Sequence, residues 1–303
     1  MRGSKIIVVL SAAVLALAAI TTAGRRQNAP VISPDRLAEI TAIRPVPGKD
    51  HLYVIPGLDG ATTGGNVAVR VTNDGVILVD NKFPHSFERI TEQVRTVTSQ
   101  PVRYVLDTHH HNDHSGSNAD FMRAAEVIAH RNARANIVRN NQPGAPRLVF
   151  GDQTAVFLGG VEVRAHHFGR GHTNGDAVIF FPDLRTVHTG DLVVWGERVD
   201  GSTLTPFMDY RNGGSGIEWT ATLDNLIELD FDTVIPGHGP ILTKNDVRTF
   251  RDKLQTLRAR MTDLIAAGGR KDDVSTQIKT DDLNWPFSSG ALEAFYDEVS
   301  TNR

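Results

Sequence analysis

An apolar stretch from Val102 to Leu106 runs almost directly into Thr108-His109-His110-His111-Asn112-Asp113-His114, and this junction constrains the chain more than any other feature. A short apolar run bounded by loop residues reads as a strand, and this one delivers a cluster of imidazoles at its C-terminal end. His109 and His111 lie two apart, so on extended backbone both rings would project to one side. Asp113 and His114 follow at once and can turn toward a neighbouring point. His110 alternates out of phase and is expected to pack away from the others. The 303 residues contain no cysteine, so neither a thiolate ligand nor a disulfide is available.

More residues of the same chemistry follow downstream. They are His172 in Gly171-His172-Thr173-Asn174-Gly175-Asp176, Asp191 in Thr189-Gly190-Asp191, and His238 in Pro236-Gly237-His238-Gly239. Each sits where a strand-like run meets a Gly- or Pro-containing loop, the usual place for chemistry on a rigid scaffold. With the first cluster they make five His and two Asp, enough for two metal ions. One ion would take His109, His111 and His172, the other Asp113, His114 and His238, with Asp191 between them. Neutral imidazole and carboxylate suit zinc at roughly 2.0–2.2 Å per bond. Fe or Mn is compatible with the same donors.

The order His-x-His-x-Asp-His, Gly-His-Thr, Thr-Gly-Asp and Pro-Gly-His-Gly resembles the metallo-β-lactamase-fold hydrolase superfamily, from about His51 to Pro240. His51 to Ile55, Asn66 to Thr72 and Val76 to Asp80 look like that family's first strands. The resemblance implies an α+β chain folded as a four-layer αββα sandwich, with the metal site at one edge between the two sheets. It also implies two Zn2+ per chain and a hydroxide, shared by ions about 3.5–4 Å apart, that attacks a carbonyl. Asp113 would be the catalytic residue, orienting the hydroxide and later passing a proton to the leaving group. By the same resemblance, Asp80 and Thr108 would take the outer ring nitrogens of metal-bound histidines.

Departures from the family narrow the substrate. β-Lactamases with a thiolate ligand need Cys at the Asp191 position. The other dizinc β-lactamase subclass usually lacks a bridging Asp. Asp191 therefore points toward glyoxalase-like and lactonase-like hydrolases of esters, thioesters or lactones. The glutathione-binding pattern of glyoxalase II is not matched in Lys244 to Arg303. Two alternatives stay open: a β-lactamase acting on β-lactams, and a mononuclear iron persulfide dioxygenase. The expected partner is a small molecule with a hydrolysable carbonyl or related C–N or C–O bond; the sequence leaves the oligomeric state open.

The formal charge of −3 gives no reason to expect nucleic acid or an anionic membrane as a partner. At the N-terminus, Arg2 and Lys5 precede an apolar run from Ile6 to Ile20, then small residues through Gly24. That layout reads as a secretory signal peptide cleaved after Ala23, giving a periplasmic or secreted protein. An uncleaved anchor is the alternative; after cleavage no membrane contact is expected. The chain thus divides into a signal peptide (1–23), a connecting arm (24–46), the core with its metal site (47–243), and C-terminal helices packed on it (244–303).

Within the core, Asn73-Asp74-Gly75 between two apolar runs signals a hairpin. Asp35 to Ile43 is open between a short helix and an extended arm. Trp195, Phe207, Met208 and Tyr210 could wall a substrate pocket or lie against the core, and Gly213-Gly214-Ser215-Gly216 would let their loop move. His51, His85, His130 and His188 show no ligand context, and packing is expected for His166 and His167. After Pro240, Val247, Phe250, Leu254, Leu257, Met261 and Leu264 form one helical stripe, closed by Gly268-Gly269. A last helix is expected over Leu292 to Val299.

Overall fold

The computed structural model describes residues 32–302; the expected signal peptide and its cleavage point lie outside the described residues. Helix α1 (Pro34–Ile40) settles the open reading of the arm, with Ser33 capping its first turn. It leads into a seven-stranded sheet whose spatial order follows the chain: β1 (Arg44–Pro45), β2 (Leu52–Ile55), β3 (Val67–Thr72), β4 (Gly75–Val79), β5 (Val102–Leu106), β6 (Glu126–His130) and β7 (Leu148–Phe150). Strands β1 to β4 run antiparallel. Thr72 pairs with Gly75 across the Asn73-Asp74 turn, the hairpin expected there. From β4 to β7 the pairing is parallel. Parallel strands need crossovers, supplied by α2 (Phe87–Arg95), the short α3 (Asn112–Ser115) and α4 (Asn118–Phe121), and α5 (Arg131–Arg139).

The second, six-stranded sheet comprises β8 (Gln153–Leu158), β9 (Val161–His166), β10 (Val178–Phe181), β11 (Thr186–His188), β12 (Thr233–Ile235) and β13 (Leu242–Thr243). Its neighbours pair antiparallel except β11 and β12, which are parallel and joined through α6 (Trp219–Ile227). Helices α7 (Lys244–Ala266), α8 (Val274–Gln277) and α9 (Ser289–Thr301) complete the described chain. A Thr243–Asp246 capping box starts α7. Among the described residues no helix is long and apolar enough to cross a membrane.

Three apolar clusters set the layers. Ile77, Val79 and Leu106 from the first sheet meet Val163, Ala165, Ile179 and Phe181 from the second, forming the seam between the sheets. The outer face of the first sheet, through Val69, Leu78 and Val105, packs on Ile90 and Val94 of α2. The outer face of the second, through Val178, Val187 and Val234, packs on Leu223 of α6, Phe250 and Leu257 of α7, and Phe295 of α9. The architecture is therefore helix, sheet, sheet, helix: the αββα sandwich. Strands β4 and β10 are buried on both sides, which explains their unbroken apolar letters.

Three strands gave no advance signal. β1, within the expected connecting arm, and β13 are each two residues long, and β7 follows Pro143-Gly144-Ala145-Pro146 and leaves Leu148 and Val149 about half exposed at the sheet edge. None is long enough to show a period, so pairing with β2, β6 and β12 decides them.

Candidate metal centre

Strands β9 and β11 both run antiparallel to β10 between them, and β12 runs parallel to β11. Their C-terminal ends therefore leave the second sheet at one edge. The loops from those ends carry His172, Asp191 and His238, and the end of β5 brings the His109–His114 segment to meet them. All seven residues singled out from the sequence converge there. Ring and carboxylate atoms of His109, His111 and His172 lie within 4.8 Å of one another, as do those of Asp113, His114 and His238, and those of His109, His114 and Asp191. Asp191 reaches both groups: Oδ1 is 3.2 Å from His114 Nε2 and 3.4 Å from His238 Nε2, and Oδ2 is 3.6 Å from His172 Nε2. Asp113 Oδ2 lies 3.2 Å from His238 Nε2.

The convergence does not come from strand alternation. β5 stops at Leu106, the chain bends through residues 108–110, and His111, in extended backbone, stands just before α3. The expectation that His109 and His111 project from one extended segment is thus corrected: the bend gathers the rings, and α3 turns Asp113 and His114 inward. Gly237 makes close approach possible on the far side, since a Cβ there would sit 1.9 Å from Asp191 Oδ1.

Outer hydrogen bonds set the direction of the inner nitrogens. Asp80 Oδ2 accepts from His114 Nδ1 at 2.7 Å and from the Thr108 hydroxyl at 2.8 Å, while Oδ1 accepts from Thr108 N. Thr108 Oγ1, its proton committed to Asp80, accepts from His109 Nδ1 at 3.1 Å. Asp80 holds this post with φ 64°, a conformation that costs a non-glycine residue energy. On the other side, His172 Nδ1 donates to the Phe207 carbonyl at 2.6 Å, and His111 Nε2 donates to Asp209 Oδ2 at 2.8 Å. A carbonyl can only accept, so His172 keeps its proton on Nδ1 and offers a lone pair from Nε2. That lone pair faces His111 Nδ1 at 2.8 Å.

Electrostatics fit the same purpose. Burial, with His111 nearby, pushes His172 down to about 4, and burial takes His109 well below the usual range, so both rings are neutral donors. Burial works against charge on His114, but Asp191, Asp113 and Asp80 hold it well above the usual range. His238, buried but facing Asp191, rises to about 9. Two carboxylates thus demand positive charge from one small volume. Buried His109 Nε2 and Asp191 Oδ1 have no hydrogen-bond partner. Bare nitrogen lone pairs, unpartnered buried acceptors and compressed carboxylates are the donor set a divalent cation needs, so these residues fit metal ions.

The group opens on a cleft of about 350 Å3. His111, Asp113, His172, Asp191 and His238 form its floor, Val194, Leu204 and Phe207 an apolar wall, and Arg198 contributes a cation. Of the four residues with an open role, Phe207 lines the cleft at 59% exposure, Met208 is buried, and Trp195 and Tyr210 pack on the core. His110 is buried beside Asn136, but the expectation that it packs away from the others is corrected: its ring centre lies 4.4 Å from that of His111 and its Nε2 3.9 Å from Asp209 Oδ2. His130 stacks on His167 at 3.9 Å, and His166 stacks on Phe168. The Gly213–Gly216 run is corrected from a mobile hinge to a tightly packed turn, because a Cβ at Gly214 would meet the His172 carbonyl at 2.4 Å.

Sequence reasoning missed Asp209 and the Phe207 carbonyl. It also missed Asp59, whose carboxylate accepts from Thr62 N and Val199 N and so ties the two loops flanking the cleft. A backbone carbonyl has no letter, and an Asp in a loop is usually a turn residue.

Comparison with known proteins agrees with this geometry. The 2,4-dinitroanisole O-demethylase subunit alpha of Nocardioides sp. (strain JS1661) is 28% identical over 203 residues, 64% of this chain; the chain spans 58% of that relative's length. The metallo-beta-lactamase type 2 of Elizabethkingia meningoseptica is 24% identical over 197 residues, covering 63% of this chain and 76% of that protein. Among solved structures, a metallo-beta-lactamase from Pontibacter korlensis shares the fold with a TM-score of 0.60 at 19% identity, covering 70% of this chain and 98% of that one. Residues 61–238 match the sequence pattern of the metallo-beta-lactamase superfamily, a span that begins in the loop beside Asp113 and ends on His238. Since that span exceeds half of the chain and encloses the whole converged cluster, the protein belongs to the metallo-beta-lactamase superfamily.

Proposed function

We propose that the protein is an exported dinuclear zinc hydrolase that attacks the carbonyl of an ester, thioester or lactone. One observation carries the reading: two three-donor groups, His109/His111/His172 and Asp113/His114/His238, are spanned by a single carboxylate, Asp191, at the floor of a cleft. Bound there, a pair of divalent ions supplies Lewis acidity and brings the pKa of a water toward about 7. The chain's own residues do the rest. Asp113 lines the cleft, where its carboxylate can orient the attacking water and carry a proton to the leaving group. Asp80, Thr108, Asp209 and the Phe207 carbonyl hold the rings so that no reorientation is needed as charge develops. Phe207 and Leu204 shield one side of the cleft from water.

The test begins with elemental analysis of purified protein, followed by a panel of lactones, thioesters, simple esters and β-lactams with and without chelator. Two zincs per chain and chelator-sensitive turnover of a carbonyl substrate are expected. One iron per chain, with oxygen uptake on a persulfide, overturns the hydrolase reading in favour of an oxygenase. A second reading, β-lactam hydrolysis, draws on the relatives named metallo-beta-lactamase type 2; turnover confined to the β-lactams of the panel would select it. The panel also includes 2,4-dinitroanisole, for which the relative at 28% identity is named. Export is tested by N-terminal sequencing of the expressed protein: a start at Gly24 is expected, and a cytoplasmic chain retaining Arg2 and Lys5 overturns it.

A further inference from the structure

Helix α9 lies beyond the span that matches the family, yet its one inward carboxylate is committed to the metal centre's surroundings. Glu298 accepts from Tyr210 Oη at 3.0 Å, Ser215 Oγ at 2.5 Å and Gly216 N at 2.9 Å, with Ile217 N at 3.5 Å. All these donors belong to the loop that carries Phe207 and Asp209. The loop is laced in turn to the His172 segment: Asp209 N donates to the His172 carbonyl, Gly214 N to the Asp209 carbonyl and Ser215 N to the Gly171 carbonyl, each at 2.8 Å.

We propose that Glu298 is a positioning residue of the metal centre, bracing the 207–217 loop and, through the Phe207 carbonyl and Asp209, setting the ring orientations of His111 and His172. The proposal rests on the metal reading of those two histidines. Docking of α9 itself does not require the carboxylate, because Leu292, Phe295 and Val299 are buried in the core and hold the helix by apolar contact. What Glu298 adds is direction. Without it, Ser215 Oγ and Gly216 N lose their acceptor. The turn can then relax and the Phe207 carbonyl withdraw from His172 Nδ1, letting that ring's proton move to the face meant for a cation.

The test uses Glu298→Gln in the full chain, with Tyr210→Phe and Ser215→Ala as milder variants that remove one donor each. The first readout needs no metal: long-range proton–nitrogen spectra of the histidine rings in the metal-free protein. The wild type is expected to show His172 protonated on Nδ1 and His111 on Nε2, and Glu298→Gln to show mixed ring states at one or both. The second readout is chelator-driven release of zinc, expected to be roughly 10–100-fold faster from one of the two positions in Glu298→Gln. Metal-free thermal stability should change little. Unchanged ring states and release rates across the three variants overturn the proposal, as does a loss of metal-free stability with ring states intact, which would mark Glu298 as a purely structural residue. A wild type that takes up no zinc defeats the metal reading instead, and the ring spectra still decide the role of Glu298.

Discussion

His114 and His172 each pack against His109 and are held by opposite means. His114 is gripped by Asp80, at the end of β4, the parallel neighbour of β5 that delivers the histidine segment. Asp80 stands at the end of that hydrogen-bonded ladder, α3 brings His114 to it with Asn81 N donating to the His114 carbonyl at 2.6 Å, and both side chains are fully buried. His172 is gripped by the carbonyl of Phe207 in a loop that no ladder supports, and His111 beside it by Asp209 in the same loop. Packing, the turn at Gly213–Gly216 and the carboxylate of Glu298 brace that loop. The sheet side is fixed by full burial and backbone pairing, whereas the loop side depends on side-chain braces. Damage to the sheet side should therefore cost stability and metal together, and damage to the loop side should cost metal with little stability.

The most severe test is Asp191→Ala, which removes the group common to both sides. Turnover should fall roughly a thousandfold or more, as for residues that act as a unit, and elemental analysis should find the metal content reduced. Turnover retained with full metal would show that the two sides do not depend on a bridge. Next comes Asp80→Asn, which breaks a fully buried pair. Denaturant unfolding of the metal-free protein should register a loss of about 3–5 kcal/mol, and metal titration a loss of roughly 10–100-fold in affinity. Asp209→Asn on the loop side should weaken metal binding by a similar roughly 10–100-fold but cost only about 1 kcal/mol of metal-free stability. If the two variants lose equal stability, the contrast between ladder and loop fails.

The last expected effect lies outside both sides and shows only in acid. Burial first, and then the stacked His167 and Arg131, lower His130 from 6.5 to about 3 in the folded chain. Below about pH 6.5 the unfolded chain takes up a proton that the folded chain refuses, so stability falls as pH falls. The slope from this one group is at most ~1.4 kcal/mol per pH unit, down to about pH 3. Above that window it contributes no pH dependence. Unfolding measured from pH 7 to pH 4 should show a shallower slope in His130→Asn; an identical slope would place the acid sensitivity in other buried groups, among them His110, which burial also lowers to about 3.

Much of the site was legible because metal chemistry restricts residue type. Imidazoles and carboxylates at strand ends are uncommon enough that His109, His111, Asp113, His114, His172, Asp191 and His238 stand out as letters. Asp80 and Thr108 were legible by resemblance to the family, and their hydrogen bonds to His114 and to His109 are as that resemblance implied. Asp209 and Glu298 were not legible, since each is an ordinary acidic letter whose meaning depends on a partner about a hundred or about eighty residues away. The glycine run misled for the same reason: Gly213 to Gly216 promises freedom in one dimension and supplies close approach in three.

The sequence by itself determined the order of the motifs and the donor types, because ligand chemistry is a local property of the chain, and through the family those motifs resemble it implied the sandwich class. Tertiary structure alone decided which nitrogen of each ring faces the cluster and what holds it there. A ring's orientation is set by its hydrogen-bond partner, and these partners belong to a neighbouring strand, a backbone carbonyl and a loop braced by a helix that the chain reaches only near its end.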